Sequence, residues 1–207
     1  LFGKGIEGQV GKKCWQALKK LESEGAKIEE VSLPLNAKYG IAAYYLAAMT
    51  EASTNLAKYC GLRYGNSLEL QGSFDEFFSK VRTEFFGEEA KRRIILGTFA
   101  RMSGFRNAYY LKAMKTRTLL IQEFQKAFTR FSLLANPTMP IAAPKFSEIK
   151  KLSPLQNYAM DLCTVPANLA GLPHASISIG EGKQKMPIGV MLTAAHLQEK
   201  ELLQASA

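Results

Sequence analysis

The sequence predicts an α/β fold in which helices flank a mixed β-sheet. Apolar residues recur at helical spacing along much of the chain, and two short apolar runs face each other across the turn-prone stretch 180–187. Of the 207 residues, 47% are hydrophobic, enough to fill a core. There are no repeats and no internal linker, so residues 1–207 read as one partial domain.

The elements follow in chain order. Val10, Cys14, Trp15, Leu18 and Leu21 form a helical stripe, with Gly25 placed as its C-cap. Residues 27–33 read as a short strand closed by Pro34. An alanine-rich helix is expected from about Ile41 to Tyr59, then a turn-rich stretch, then a helix from Phe74 to Phe86. Glu88 and Glu89 open the next helix, where the macrodipole favours acids, and it runs to about Met102. A long helix carries Tyr110, Met114, Ile121, Phe124, Phe128 and Phe131 on one stripe, interrupted by Arg117. Residues 131–136 read as a strand ending at Pro137, and a Pro- and Lys-containing loop follows. The helical pattern of 157–172 contains Pro166, so a kink or restart is expected there. Residues 174–179 and 188–192 then pair as strands, and 198–205 form a last helix.

Composition narrows the function classes. No apolar run approaches the roughly 20 residues that cross a bilayer, and no membrane partner is expected. Cys14, Cys60 and Cys163 lack metal-ligand or CxxC spacing, which fits a reducing, cytoplasmic setting, and Cys163 reads as a buried bystander thiol. Cys163 as a nucleophile would need a partner that neither His174 nor His196 supplies by pattern. The net charge of +9 permits a nucleic-acid partner without locating one, since it is spread along the chain. Lys112, Lys115, Lys126 and Arg130 form a row that is either a solvated face or a set of phosphate contacts. Gly3 to Gly8 matches GxGxxG, but the strand and closing acid of a dinucleotide site are missing around it, so a flexible lead-in loop is expected. With Leu1 and Phe2 first, the start reads as a cut inside a longer protein.

Two stretches are distinctive: Glu89-Ala90-Lys91-Arg92-Arg93-Ile94-Ile95-Leu96-Gly97-Thr98-Phe99, and Tyr158 through Pro173 with Asp161-Leu162-Cys163-Thr164-Val165-Pro166 at its centre. Together with Ala43-Tyr44-Tyr45 and Glu51-Ala52-Ser53-Thr54-Asn55-Leu56, they resemble the amidase signature family. Within it they are most similar to the glutamine-hydrolysing subunits of glutamyl-tRNA(Gln) amidotransferases, in the same order and over nearly the whole chain. The resemblance implies the C-terminal portion of an α/β/α amidase fold and a glutaminase that supplies ammonia for amidation of Glu-tRNA(Gln). It implies B and C subunits as partners, with tRNA met mainly through the B subunit. ATP and Mg are expected at that partner, and no cofactor in this chain. The family's Lys–Ser–Ser triad lies in a Gly/Ser-rich run that this sequence does not contain, so no catalytic residue is assigned and the stretch alone is expected to be inactive.

Carried over by position, the glutamine-binding groups implied by the resemblance are Tyr44, Arg93 and Asp161. The chemistry suits a zwitterion: a guanidinium grips a carboxylate bidentately, a carboxylate pairs with the α-ammonium, and a phenol adds a directed hydrogen bond. Each residue has a plainer reading. Arg93 stands four positions after Glu89, as in a surface helix pair. Asp161, with Thr164 and Asn168, can be a solvated face or a cap, and Tyr44 beside Tyr45 can be core. Gly97, Ala100 and Gly104 share the Arg93 face and leave room for a ligand or for backbone. Phe105-Arg106-Asn107 and Arg101 depart from the family pattern. Two rivals stay open: an amidase for another amide, of which a hydrophobic-amide hydrolase would have no use for the Arg93–Asp161 pair, and an RNA-binding or scaffolding piece.

Overall fold

A computed structural model describes residues 5–183 and 185–207. The chain forms two compact units, one made of the residues up to Tyr44 together with Thr116–Ala207, the other of Tyr45–Lys115.

The first unit is built on three strands, β1 (Leu133–Pro137), β2 (His174–Glu181) and β3 (Pro187–Ala194), in the order β1-β3-β2. Both pairings are antiparallel, so the parallel pairs of a mixed sheet are not among the described strands. The hairpin expected around residues 180–187 is present, with Gly180 at φ +102° in a register irregularity of β2. Even-numbered β3 residues face two helices: α1 (Gly8–Ser23), through Val10 and Cys14 against Ile188 and Val190, and α9 (Glu199–Ser206), through Leu202 against Leu192 and Ala194. On the opposite face Leu134 packs against Phe124 and Ala127 of α5 (Lys112–Phe128). With helices on both faces, β3 is buried along almost its whole length.

The remaining elements of this unit explain two differences from the sequence reading. Residues 27–33 form no strand. Together with β1 they line a cavity of about 860 Å³, so the segment faces the edge strand across a gap. A ladder needs a neighbour roughly 4.8 Å away. Pro34 does not close a strand; it opens α2 (Pro34–Asn55), which starts seven residues before the expected Ile41. The restart at Pro166 is realised: α7 (Pro154–Ala159) leads into a 3₁₀ turn, Met160–Cys163, and α8 (Val165–Ala170) begins one residue before the proline. Gly171 closes α8 in the left-handed conformation at φ +70°. A short helix, α6 (Phe146–Ile149), sits inside the expected loop.

The second unit holds the C-terminal part of α2, then α3 (Phe74–Phe85) and α4 (Glu88–Arg101). Ser73 and Glu76 close a capping box at the start of α3. The Arg82 guanidinium donates to the carbonyls of Leu56 and Tyr59, just beyond the end of α2. The long α-helix expected to carry Tyr110 begins at Lys112, and Tyr110 lies in a π-helical turn, Asn107–Leu111, just ahead of it. Phe105 packs against Phe99 and Tyr109 with ring centroids 4.3 and 6.1 Å away. Arg101, the other departure from the family pattern, donates to Thr54 Oγ1 at 2.8 Å.

Candidate functional site

In the second unit Arg93 is held from two sides. Its Nε donates to Glu89 Oε1 at 2.9 Å, and its guanidinium stands 5.8 Å from the centroid of the Tyr45 ring. Glu89 also pairs with Arg92. The Arg93 and Glu89 side chains are 37% and 44% exposed, so this i,i+4 pair is worth only ~0.3–0.5 kcal/mol. Its consequence is orientation of the guanidinium plane more than stability. Tyr45, buried at 7%, is not among the site residues expected from the sequence. The signal for it is its place beside Tyr44, since adjacent helical residues point roughly 100° apart.

The small residues on the Arg93 face make room for backbone. A Cβ at Gly97 would stand 1.9 Å from the Met49 carbonyl oxygen, and Ala100 is 3% exposed. α4 therefore crosses the C-terminal part of α2 at close range. Gly104 has nothing within 4 Å of its Cβ direction and plays no part in this packing.

Tyr44 and Asp161 belong to the first unit. Tyr44 is half-buried against the cluster of Ala43, Leu120 and Leu169. Asp161 is half-buried in the 3₁₀ turn ahead of α8, and its carbonyl accepts from the backbone and hydroxyl of Thr164. The exposed Asn168 donates to the Thr164 carbonyl at 3.0 Å, so the polar strip is tied along its own backbone.

Residues that pattern reading passed over connect these segments. Glu123 of α5 accepts from the backbone N–H of Leu35 and of Asn36, each at 2.9 Å, and from Asn36 Nδ2 at 2.8 Å. Asn36 is 1% exposed; its Nδ2 also donates to the Leu120 carbonyl, while its Oδ1 has no hydrogen-bond partner among the described residues. Arg117, the interruption in the apolar stripe, donates from Nε to the Leu169 carbonyl at 2.7 Å. The signal for Glu123 is a helix start, Leu33-Pro34, with no side chain of its own able to cap it.

The other candidates resolve as structure. Cys163 is 0% exposed, and burial pushes its thiol up to about 11, far from a thiolate nucleophile. His174 and His196 each face a backbone carbonyl, those of Leu172 and Gly171. No group of three metal-ligating side chains occurs among the described residues. Gly3 and Lys4 of the GxGxxG match lie outside the described residues. The expected flexible loop is anchored where it is described: Glu7 N–H donates to the Pro140 carbonyl, and the Glu7 carboxylate accepts from Ala142 N–H. Lys112, Lys115, Lys126 and Arg130 are exposed, and Arg130 pairs with Glu29 at 2.9 Å. No helix among the described residues is long and apolar enough to cross a membrane.

Helices on both faces of the sheet of the first unit agree with a known family. The family model described as Amidase covers residues 2–203, and the chain belongs to that family. It is 43% identical over 205 residues to the A subunit of glutamyl-tRNA(Gln) amidotransferase from Halothermothrix orenii, covering 99% of this chain and 42% of that protein. It is 45% identical over 202 residues to the protein of the same name from Macrococcus caseolyticus, covering 97% of this chain and 41% of that one. The crystal structure of the Thermotoga maritima protein of that name superposes with a TM-score of 0.69 at 34% identity, over 97% of this chain and 38% of its own. An amidase crystal structure matches at TM-score 0.73 with 20% identity, over 98% of this chain and 41% of its own, a likeness of fold. The chain thus spans about two fifths of the length of these relatives.

Proposed function

We propose that this chain is part of the glutamine-hydrolysing component of an amidotransferase, and that its share of the work is to bind glutamine through Tyr44, Arg93 and Asp161. The observation that carries the reading is identity of 43–45% along nearly the entire chain to the A subunits of glutamyl-tRNA(Gln) amidotransferases. The orientation of Arg93 by Glu89 and Tyr45 supports it, because a guanidinium with a fixed plane is prepared for a carboxylate.

In this reading Arg93 takes the α-carboxylate of glutamine, Asp161 the α-ammonium, and the Tyr44 hydroxyl adds a directed hydrogen bond. Binding the non-reacting end holds the side-chain amide still for attack by a nucleophile outside this stretch. The ammonia released passes to a B subunit, where ATP and Mg act and where tRNA is met, with a C subunit completing the complex in the cytoplasm. The test is steady-state glutamine hydrolysis by the intact protein. Arg93→Ala and Asp161→Ala should each raise KM for glutamine roughly tenfold or more, because each leaves a substrate charge unpaired. Unchanged KM in both variants would remove the assignment.

A further inference from the structure

We propose that α5 is a positioning helix, whose residues Glu123 and Arg117 set where Tyr44 and Asp161 stand; this rests on the glutamine reading above. The start of α2 explains why such a device is needed. Pro34 has no N–H, Leu33 has no side-chain acceptor, and Leu35 and Asn36 are the next backbone donors, left without intrahelical partners. Both go to the Glu123 carboxylate, whose charge also suits the positive end of the helix. Asn36 adds a third bond to the same carboxylate and a fourth to the Leu120 carbonyl, so its side chain spans one turn of α5. Tyr44 lies eight residues further along α2, roughly 12 Å away. There the Leu120 side chain packs against Ala43, beside Tyr44. The contacts at Asn36 and Ala43, roughly 10 Å apart along the helix, determine both the axial position and the rotation of α2.

Arg117 does the corresponding work at the other segment. Its bond to the Leu169 carbonyl ties the last turn of α8, the helix that directly follows the 3₁₀ turn carrying Asp161. Leu169 also touches the Ala43–Leu120 cluster, so the two tethered segments share one packing site. Arg117, Leu120 and Glu123 are spaced by three residues along a single ridge of α5. An arginine inside an apolar stripe and a carboxylate at a distant helix start are thereby explained together.

The test places fluorotyrosine at position 44 of the intact protein and reads its ¹⁹F resonance together with the kinetics of glutamine hydrolysis. In Glu123→Ala the resonance should shift or broaden, and KM for glutamine should rise roughly fivefold while kcat changes little. Glu123→Gln keeps the side chain's size but turns an amide donor toward backbone N–H groups; it should show the same effects in smaller measure if Glu123→Ala does not fold. A ¹⁹F resonance unmoved in a folded Glu123 variant overturns the proposal. A resonance that moves while KM stays constant upholds the positioning role and removes Tyr44 from glutamine binding instead.

Discussion

Cys14 and Cys163 are each 0% exposed, and burial pushes both thiols up from 9.0 to about 11. Iodoacetamide should therefore label the half-buried Cys60 well before either of them in the folded protein, as read by mass spectrometry of its peptides; equal rates would mean the core is open. Between those two values the folded chain keeps protons that the unfolded chain has lost. This contribution to stability is complete below pH 9.0 and is lost as pH rises through about 11, so Cys14→Ala should flatten the alkaline decline. The inert Cys163 was legible in the sequence because neither histidine stands in a partner pattern with it. The proposal for Tyr44, Arg93 and Asp161 comes from residue type in a family motif. The Arg93 partner Glu89 was legible four residues away, but the tethers were not, because Glu123 meets Asn36 across 87 residues and Arg117 meets Leu169 across 52, beyond any local pattern.

Among the elements, helices with a clear apolar stripe and the β2–β3 hairpin followed from periodicity and turn chemistry. The strand expected at 27–33 failed because a short run and a closing proline do not supply a neighbouring strand. The early start of α2 was hidden for a different reason: its cap comes from another helix. Close packing of α4 on α2 in the second unit depends on one missing side chain. Gly97→Ala would drive a Cβ into the Met49 carbonyl, and because that atom is backbone it cannot step aside. The substitution should cost about 3 kcal/mol in chemical denaturation, at the upper end of overpacking effects. A cost under about 0.5 kcal/mol, the range of ordinary surface changes, would show that α4 can slide on α2. It should also disturb Arg93, one turn earlier on the same helix.

At the scale of the whole molecule, membership of the amidase family fixes the fold, and the chain accounts for about two fifths of its relatives' length. On the proposed function, this stretch holds the charged end of glutamine. The most direct measurement compares kcat/KM for glutamine with that for its α-carboxamide, which keeps the reacting amide and the ammonium but lacks the carboxylate. The intact protein should prefer glutamine by roughly a hundredfold, and Arg93→Ala should abolish most of that preference by weakening glutamine alone. A preference that survives Arg93→Ala undiminished would mean that Arg93 does not hold the carboxylate.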